Sequence, residues 1–165
     1  LQLHFTEGGP RLYDNYDTDW CKWTLMMIKA LCNGYSSFTG WNLMLDETGG
    51  PNVGPFFCGG LITRNAQSGE LSYSGQFKAF RHFKGITPAS KIHPLLFDNE
   101  ATMSNFSRKG TLRTEGCLVK SNSGEIRLIL VNPSDKKEQI QYFYCNEWWY
   151  IEMLPNTAAT IIFEE

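Results

Sequence analysis

No stretch of this 165-residue chain is strongly basic. Its 15 lysines and arginines against 17 aspartates and glutamates give a net charge of -2, without the clustered cations that a phosphate backbone demands. A nucleic-acid partner is therefore argued against. No apolar run approaches the ~18 residues of a membrane span, so no transmembrane segment is expected. The start of the chain has no signal-peptide pattern. Five cysteines, Cys21, Cys32, Cys58, Cys117 and Cys145, lie far apart with no C-x-x-C pair, which indicates neither a zinc site nor a redox motif. Their odd number leaves at least one thiol unpaired. His82 and His93 form no metal-ligand spacing with any neighbour. Internal repeats and low-complexity linkers are missing as well.

What the chain does have is apolar and aromatic material. Hydrophobic residues make up 42% and aromatics 14% of the sequence, enough for a packed core. The length suits one ordinary domain or two pieces of larger ones. Leu1 stands in what reads as mid-strand, so a fragment or a processed chain is expected. One N-x-S triplet, Asn105-Phe106-Ser107, permits glycosylation in a secreted protein and leaves the compartment open.

Two periodicities divide the chain. Leu1, Leu3 and Phe5 alternate with polar neighbours and predict a short strand ending near Glu7. A loop follows from Gly8 to Asp17. Thr18 or Asp19 then caps a helix carrying Trp20, Trp23, Met27, Ile28 and Leu31 on one face, with Gly34 as its stop. The segment SSFTGWNLMLD reads as the next strand, closed by the turn-forming ETGGPNVGP. Two strands joined through a helix lie parallel in one sheet, so the loops TEGGP and LDETGGP open on one side, where open sheets and barrels bind ligands. A second helix is expected from Ser74 to Lys84, with Phe77, Phe80 and Phe83 at helical spacing. From about Lys91 onward six short strands follow one another: KIHPLLF, LRTEGCLVK, EIRLILVN, EQIQYFY, EWWYIEM and AATIIFE. Turn chemistry at Asn122-Ser123-Gly124, Asn132-Pro133-Ser134-Asp135 and Pro155-Asn156 separates the later ones. That regular spacing is a sandwich signature.

Chemistry concentrates on Glu7 and the Trp41-Asn42 pair. Glu7 at a strand mouth can be a solvated surface residue, a helix-capping anion or the working carboxylate of a sugar-cleaving enzyme. Such enzymes use two carboxylates. Indole faces suit the C–H surfaces of sugars, and an amide offers both a donor and an acceptor to hydroxyls. Each residue also has an ordinary reading. Strand-end carboxylates are often just solvated, and Trp41 is more often core than sugar platform. Trp148-Trp149 is more often a sandwich strand with one ring on each face. His4 reads as a satisfied packing histidine, and Asp46 and Glu47 as loop carboxylates, Asp46 near enough to order the rim of a pocket.

The run FTGWNLMLDETGGPN at 38 to 52 resembles the last barrel strand of the glucosylceramidase family, glycoside hydrolase family 30, whose members carry a W-N-L-x-L-D-x-x-G-G-P-N type segment there. HFTEGG at 4 to 9 is similar to that family's nucleophile segment, in which T-E closes the seventh barrel strand. AFRHFKGITPASKI at 79 to 92 resembles the passage leading from the last barrel helix into a side sandwich. Val53 departs from the pattern, standing where the family usually has an aromatic residue.

The resemblance implies an α/β plus all-β chain: residues 1–88 as the last two strand-helix units of a (β/α)8 TIM barrel, and residues 89–165 as a β-sandwich side domain. It implies a retaining β-glycosidase with Glu7 as nucleophile, Trp41 lining the sugar subsite and Asn42 as a neighbouring polar contributor. The acid/base, in an N-E segment of the fourth barrel strand, lies outside this chain. Expected partners are therefore a β-glucoside or glycolipid substrate, glucosylceramide-like above all, and the N-terminal remainder of the barrel. The fragment alone is expected to be inactive. Neither a cofactor nor a metal is required. The family favours a secreted or lysosome-like compartment. Two alternatives stay open: a xylan- or glucan-cleaving member of the same family, and a non-catalytic sugar-binding or structural module.

Overall fold

A computed structural model describes residues 2–12, 15–51, 58–95 and 114–163. Val53 and the Asn105 triplet lie outside the described residues. The chain is rich in sheet, with two helices among the described residues, and divides into two compact units, Leu1–Ile86 and Thr87–Glu165.

In the first unit, β1 (Leu3–Phe5) pairs in parallel with β2 (Tyr35–Phe38), and α1 (Trp20–Cys32) runs between them in sequence. This is the crossover that the strand, helix, strand order implies. Asp19 takes the N-cap position of α1, but its side chain makes no capping bond. Its carboxyl is partly buried, which raises its pKa, with Lys22 acting in the opposite direction. Gly34 follows the C-cap Asn33 at φ 83, a left-handed conformation that glycine adopts without strain. The buried stripe of α1 is Trp23, Thr24, Met27 and Ile28 with Cys21 and Ala30. Trp20, expected on that face, is half-buried with the Lys78 ammonium over its ring at 5.1 Å.

The expected strand SSFTGWNLMLD is two strands. β2 ends at Phe38, β3 spans Met44–Asp46, and Trp41-Asn42 sits between them. β3 pairs in parallel with β4 (Ile62–Arg64), which turns back into β5 (Leu71–Tyr73). The second helix, α2 (Gly75–His82), begins at Ser74, whose hydroxyl accepts from the Phe77 N–H at 3.0 Å. α1 and α2 meet through Trp23, Met27 and Ala79, with Phe38, Phe80 and Phe83 packed against them. Burial of each large side chain there contributes ~1.5–3 kcal/mol.

The second unit is a two-layer β structure. β6 (Lys91–Pro94), β7 (Glu115–Lys120), β8 (Ile126–Asn132) and β11 (Thr157–Phe163) form an antiparallel sheet in the order β11-β8-β7-β6. β9 (Glu138–Tyr144) and β10 (Glu147–Met153) form a separate hairpin. Leu128 and Leu130 of the sheet pack on Ile140 and Met153 of the hairpin, and Tyr142, Ile151, Ile161 and Phe163 close around them. The fully buried Asn132 ties the layers at one end. Its amide donates to the carbonyls of Lys136, Met153 and Leu154 and accepts from the Ser134 N–H and hydroxyl.

Candidate functional site

Glu7 stands exposed just beyond the carboxyl end of β1. The β1/β2 ladder continues past both strands, because the Thr39 N–H donates to the Phe5 carbonyl at 2.8 Å and the Trp41 N–H to the Gly8 carbonyl at 2.9 Å. On the other flank the Leu61 N–H donates to the Asn42 carbonyl at 2.8 Å, and the Ile62 N–H to the Leu43 carbonyl at 3.0 Å. The Trp41-Asn42 backbone is thus clamped between the segment carrying Glu7 and the start of β4. A side chain on Gly9 would place its Cβ 2.7 Å from the Trp41 carbonyl oxygen. The second glycine of T-E-G-G is therefore a condition of this close approach.

A second donor reaches the Gly8 carbonyl. Gln76, fully buried on α2, donates from Nε2 to the Gly8 oxygen at 2.8 Å. Gly8 thus accepts one bond from the segment after β2 and one from α2, which fixes the Gly8–Gly9 peptide, one residue beyond Glu7. Spacing alone does not reveal Gln76. The phenylalanine pattern centres the apolar face of α2 on Phe77, Phe80 and Phe83, whereas the fully buried stripe begins at Gln76 and continues through Ala79. The cue lies at i and i+3 from a small residue, a position that a glutamine in a first helical turn does not advertise.

Trp41 keeps 46% of its surface exposed. Asn42 is half-buried, and its Nδ2 is shielded without a hydrogen-bond partner among the described residues. The loop between Gly9 and α1 is anchored to β4 by Tyr16, whose hydroxyl donates to the Gly60 carbonyl at 2.7 Å and lies 2.7 Å from Thr63 Oγ1. Burial raises the pKa of this phenol.

The other candidates have structural work. Asp46 Oδ1 accepts from the Thr48 N–H, the Thr48 hydroxyl and the Gly50 N–H at 2.7–2.8 Å, folding the turn after β3. The Thr48 hydroxyl is the main cause of its lowered pKa. Glu47 accepts from the Ala66 N–H at 2.8 Å. His4 is exposed rather than packed inside, with Nδ1 2.8 Å from Ser37 Oγ. No group of three or more His, Cys, Asp or Glu among the described residues could hold a metal ion, and the five cysteines form no disulfide. Among the described residues no helix is long and apolar enough to cross a membrane.

No protein-family model matches the chain, and no curated protein matches it in sequence. Its fold, by contrast, has clear counterparts among solved structures. SrfJ from Salmonella typhimurium superposes with a TM-score of 0.80 at 21% identity over 99% of this chain. The endo-β1,6-glucanase BT3312 does so with 0.78 at 14% over 99%. The catalytic domain of GH30 xylanase C from Talaromyces cellulolyticus gives 0.58 at 17% over 86%. The chain spans 35%, 36% and 30% of those chains respectively, about a third of their length. At these identities the likeness establishes a shared fold.

Proposed function

We propose that this chain is the carboxyl-terminal portion of a retaining β-glycosidase, with Glu7 as its nucleophile. The supporting observation is the Trp41 N–H to Gly8 carbonyl bond, which holds the backbone of an exposed tryptophan beside the segment that carries the exposed Glu7. Neighbours that include a glucanase and a xylanase domain favour a carbohydrate substrate. Residues 1–88 complete a (β/α)8 barrel and residues 89–165 form its side sandwich.

In this reading the Glu7 carboxylate attacks the anomeric carbon, and a carboxylic acid outside this chain gives its proton to the departing glycosidic oxygen. The glycosyl-enzyme ester is then cleaved by water, which that same second residue deprotonates. The two carboxyl groups stand ~5–5.5 Å apart in the assembled site. Trp41 stacks on the sugar, and Asn42, with an unspent amide donor, is its polar neighbour. The bond cleaved is β-glucosidic, with a glucosylceramide-like substrate preferred over xylan or glucan by the W-N-L-x-L-D resemblance.

The test is kinetic. In the chain joined to the barrel portion that carries the acid/base, Glu7→Gln lowers kcat on an aryl β-glucoside by ~10^3-fold or more. A loss of only a few fold overturns the assignment. The 165-residue chain alone gives no turnover above background. A panel of glucosylceramide, xylan and β-glucan identifies the substrate.

A further inference from the structure

A second aromatic surface lies in the other unit. The β9/β10 register pairs Phe143 with Trp148, Gln141 with Tyr150 and Gln139 with Glu152. Side chains alternate across a strand, so these six share one face of the hairpin, opposite the face that carries the buried Ile140 and Met153. That outer face is open: Phe143 is 55%, Trp148 59% and Tyr150 76% exposed. It differs in kind from the inner face, with three aromatic rings, two neutral amides and no aliphatic side chain. Its one charge, Glu152, is paired with Lys137 at 2.8 Å. The Gln141 amide donates to the Tyr150 hydroxyl at 3.1 Å, orienting the most exposed ring.

We infer that this face is a binding site for a neutral polysaccharide, separate from the site at Glu7. Open aromatic rings stack on sugar C–H faces, interleaved amides donate to and accept from hydroxyls, and an electrically neutral strip complements an uncharged polymer. Ring geometry narrows the ligand further. Phe143 and Trp148 are tilted by 56° at a centroid separation of 5.1 Å, so the pair packs together and presents an angled surface and not a flat platform. An angled aromatic surface suits a single soluble chain better than a flat crystalline face. Trp148 and Tyr150, two residues apart on one strand, are attached ~7 Å apart along it, so the aromatic surface extends along the hairpin.

The experiment is affinity electrophoresis and calorimetry of the full chain with soluble hydroxyethylcellulose, with microcrystalline cellulose and an anionic polysaccharide as the other arms. Retention by the neutral soluble glucan alone is expected. Trp148→Ala and Tyr150→Ala each weaken it ~10-fold, with circular dichroism unchanged because both side chains are on the surface. Glu7→Gln and Trp41→Ala retain full binding, which separates this site from the proposed catalytic one. Four results overturn the inference: no retention, equal retention of Trp148→Ala, preference for the anionic polymer, or a concentration-dependent dimer that Trp148→Ala abolishes. None of them bears on whether Glu7 is the nucleophile.

Discussion

The two units bury their apolar surface in opposite ways. In Thr87–Glu165 the strands do the burying: β8 alone hides Leu128, Ile129, Leu130 and Val131 completely or nearly so, and its partner strands run six or seven residues. In Leu1–Ile86 the strands are three or four residues long and the closed core is helical, built on Trp23, Met27 and Ala79. Leu45 and Thr63 are buried, but several side chains on the strands and at their ends stay open, with Leu43 69% exposed and Leu3, Trp41 and Met44 above 40%. A unit closed by side-chain packing has little freedom to present chemistry from its core. One held by backbone bonds and a buried glutamine can present a carboxylate and an indole from the ends of its strands, which is where Glu7 and Trp41 stand.

Substitutions sharpen that contrast. The largest effect belongs to Glu7→Gln, which removes activity in the assembled enzyme yet shifts stability by no more than ~0.5 kcal/mol, because an exposed side chain without packing duties is replaced. Denaturant titration beside the kinetics checks both halves of that statement. Leu130→Ala, deep between sheet and hairpin, costs ~2–5 kcal/mol, read as a lower denaturation midpoint for the second unit. Gln76→Ala costs ~1–3 kcal/mol through the lost bond to Gly8 and the space it leaves. Unlike Leu130→Ala it also lowers kcat, because the Gly8 carbonyl, one residue beyond Glu7, loses one of its two restraints. If Gln76→Ala lowers stability and leaves kcat intact, the pin is structural only. Ser74→Ala removes the cap of α2 and costs ~0.5–2 kcal/mol, visible as a shift in melting temperature.

The smallest effect is a dependence on pH. Hydrogen bonds from Thr48 and Gly50 hold the Asp46 carboxyl below its ordinary pKa. A depressed carboxylate stabilises the fold at pH values above the unfolded pKa, and that contribution disappears as pH falls through the folded one. Asp46→Asn is therefore less stable than the parent at neutral pH, and the gap closes on acidification below about pH 4. Melting temperatures across that range measure it. A gap independent of pH means that ionisation of Asp46 contributes nothing to stability.

Much of this architecture is legible in the sequence, and the misses have physical causes. The six strands of the second unit show because each is bounded by turn residues and alternates or runs apolar. The hairpin between β9 and β10 is subtler. Cys145 and Asn146 turn the chain at φ 50 and 63 with no Asn-Gly to announce them. In the first unit, SSFTGWNLMLD reads as one strand because its apolar content is continuous. It is interrupted because Trp41 bonds towards Gly8 on one side while Asn42 and Leu43 bond towards β4 on the other. The β4/β5 hairpin is missed since Ile62–Arg64 and Leu71–Tyr73 are too short to establish a period. Glu7, Trp41 and Asn42 are visible as residue types, and their backbone proximity follows from the parallel crossover. Gln76 is not visible, because a buried amide in the first turn of an amphipathic helix looks like any solvated one.

In the proposed mechanism Glu7 forms a covalent bond to the sugar, and mechanism-based trapping reads that bond out on the protein. The assembled enzyme, treated with a 2-deoxy-2-fluoro-β-glucoside that arrests the glycosyl-enzyme, is digested and the labelled peptide sequenced by mass spectrometry. One sugar per protein is expected, attached to Glu7 and absent from Glu7→Gln. A sugar on any other carboxylate, or an active enzyme that remains unlabelled, would contradict it.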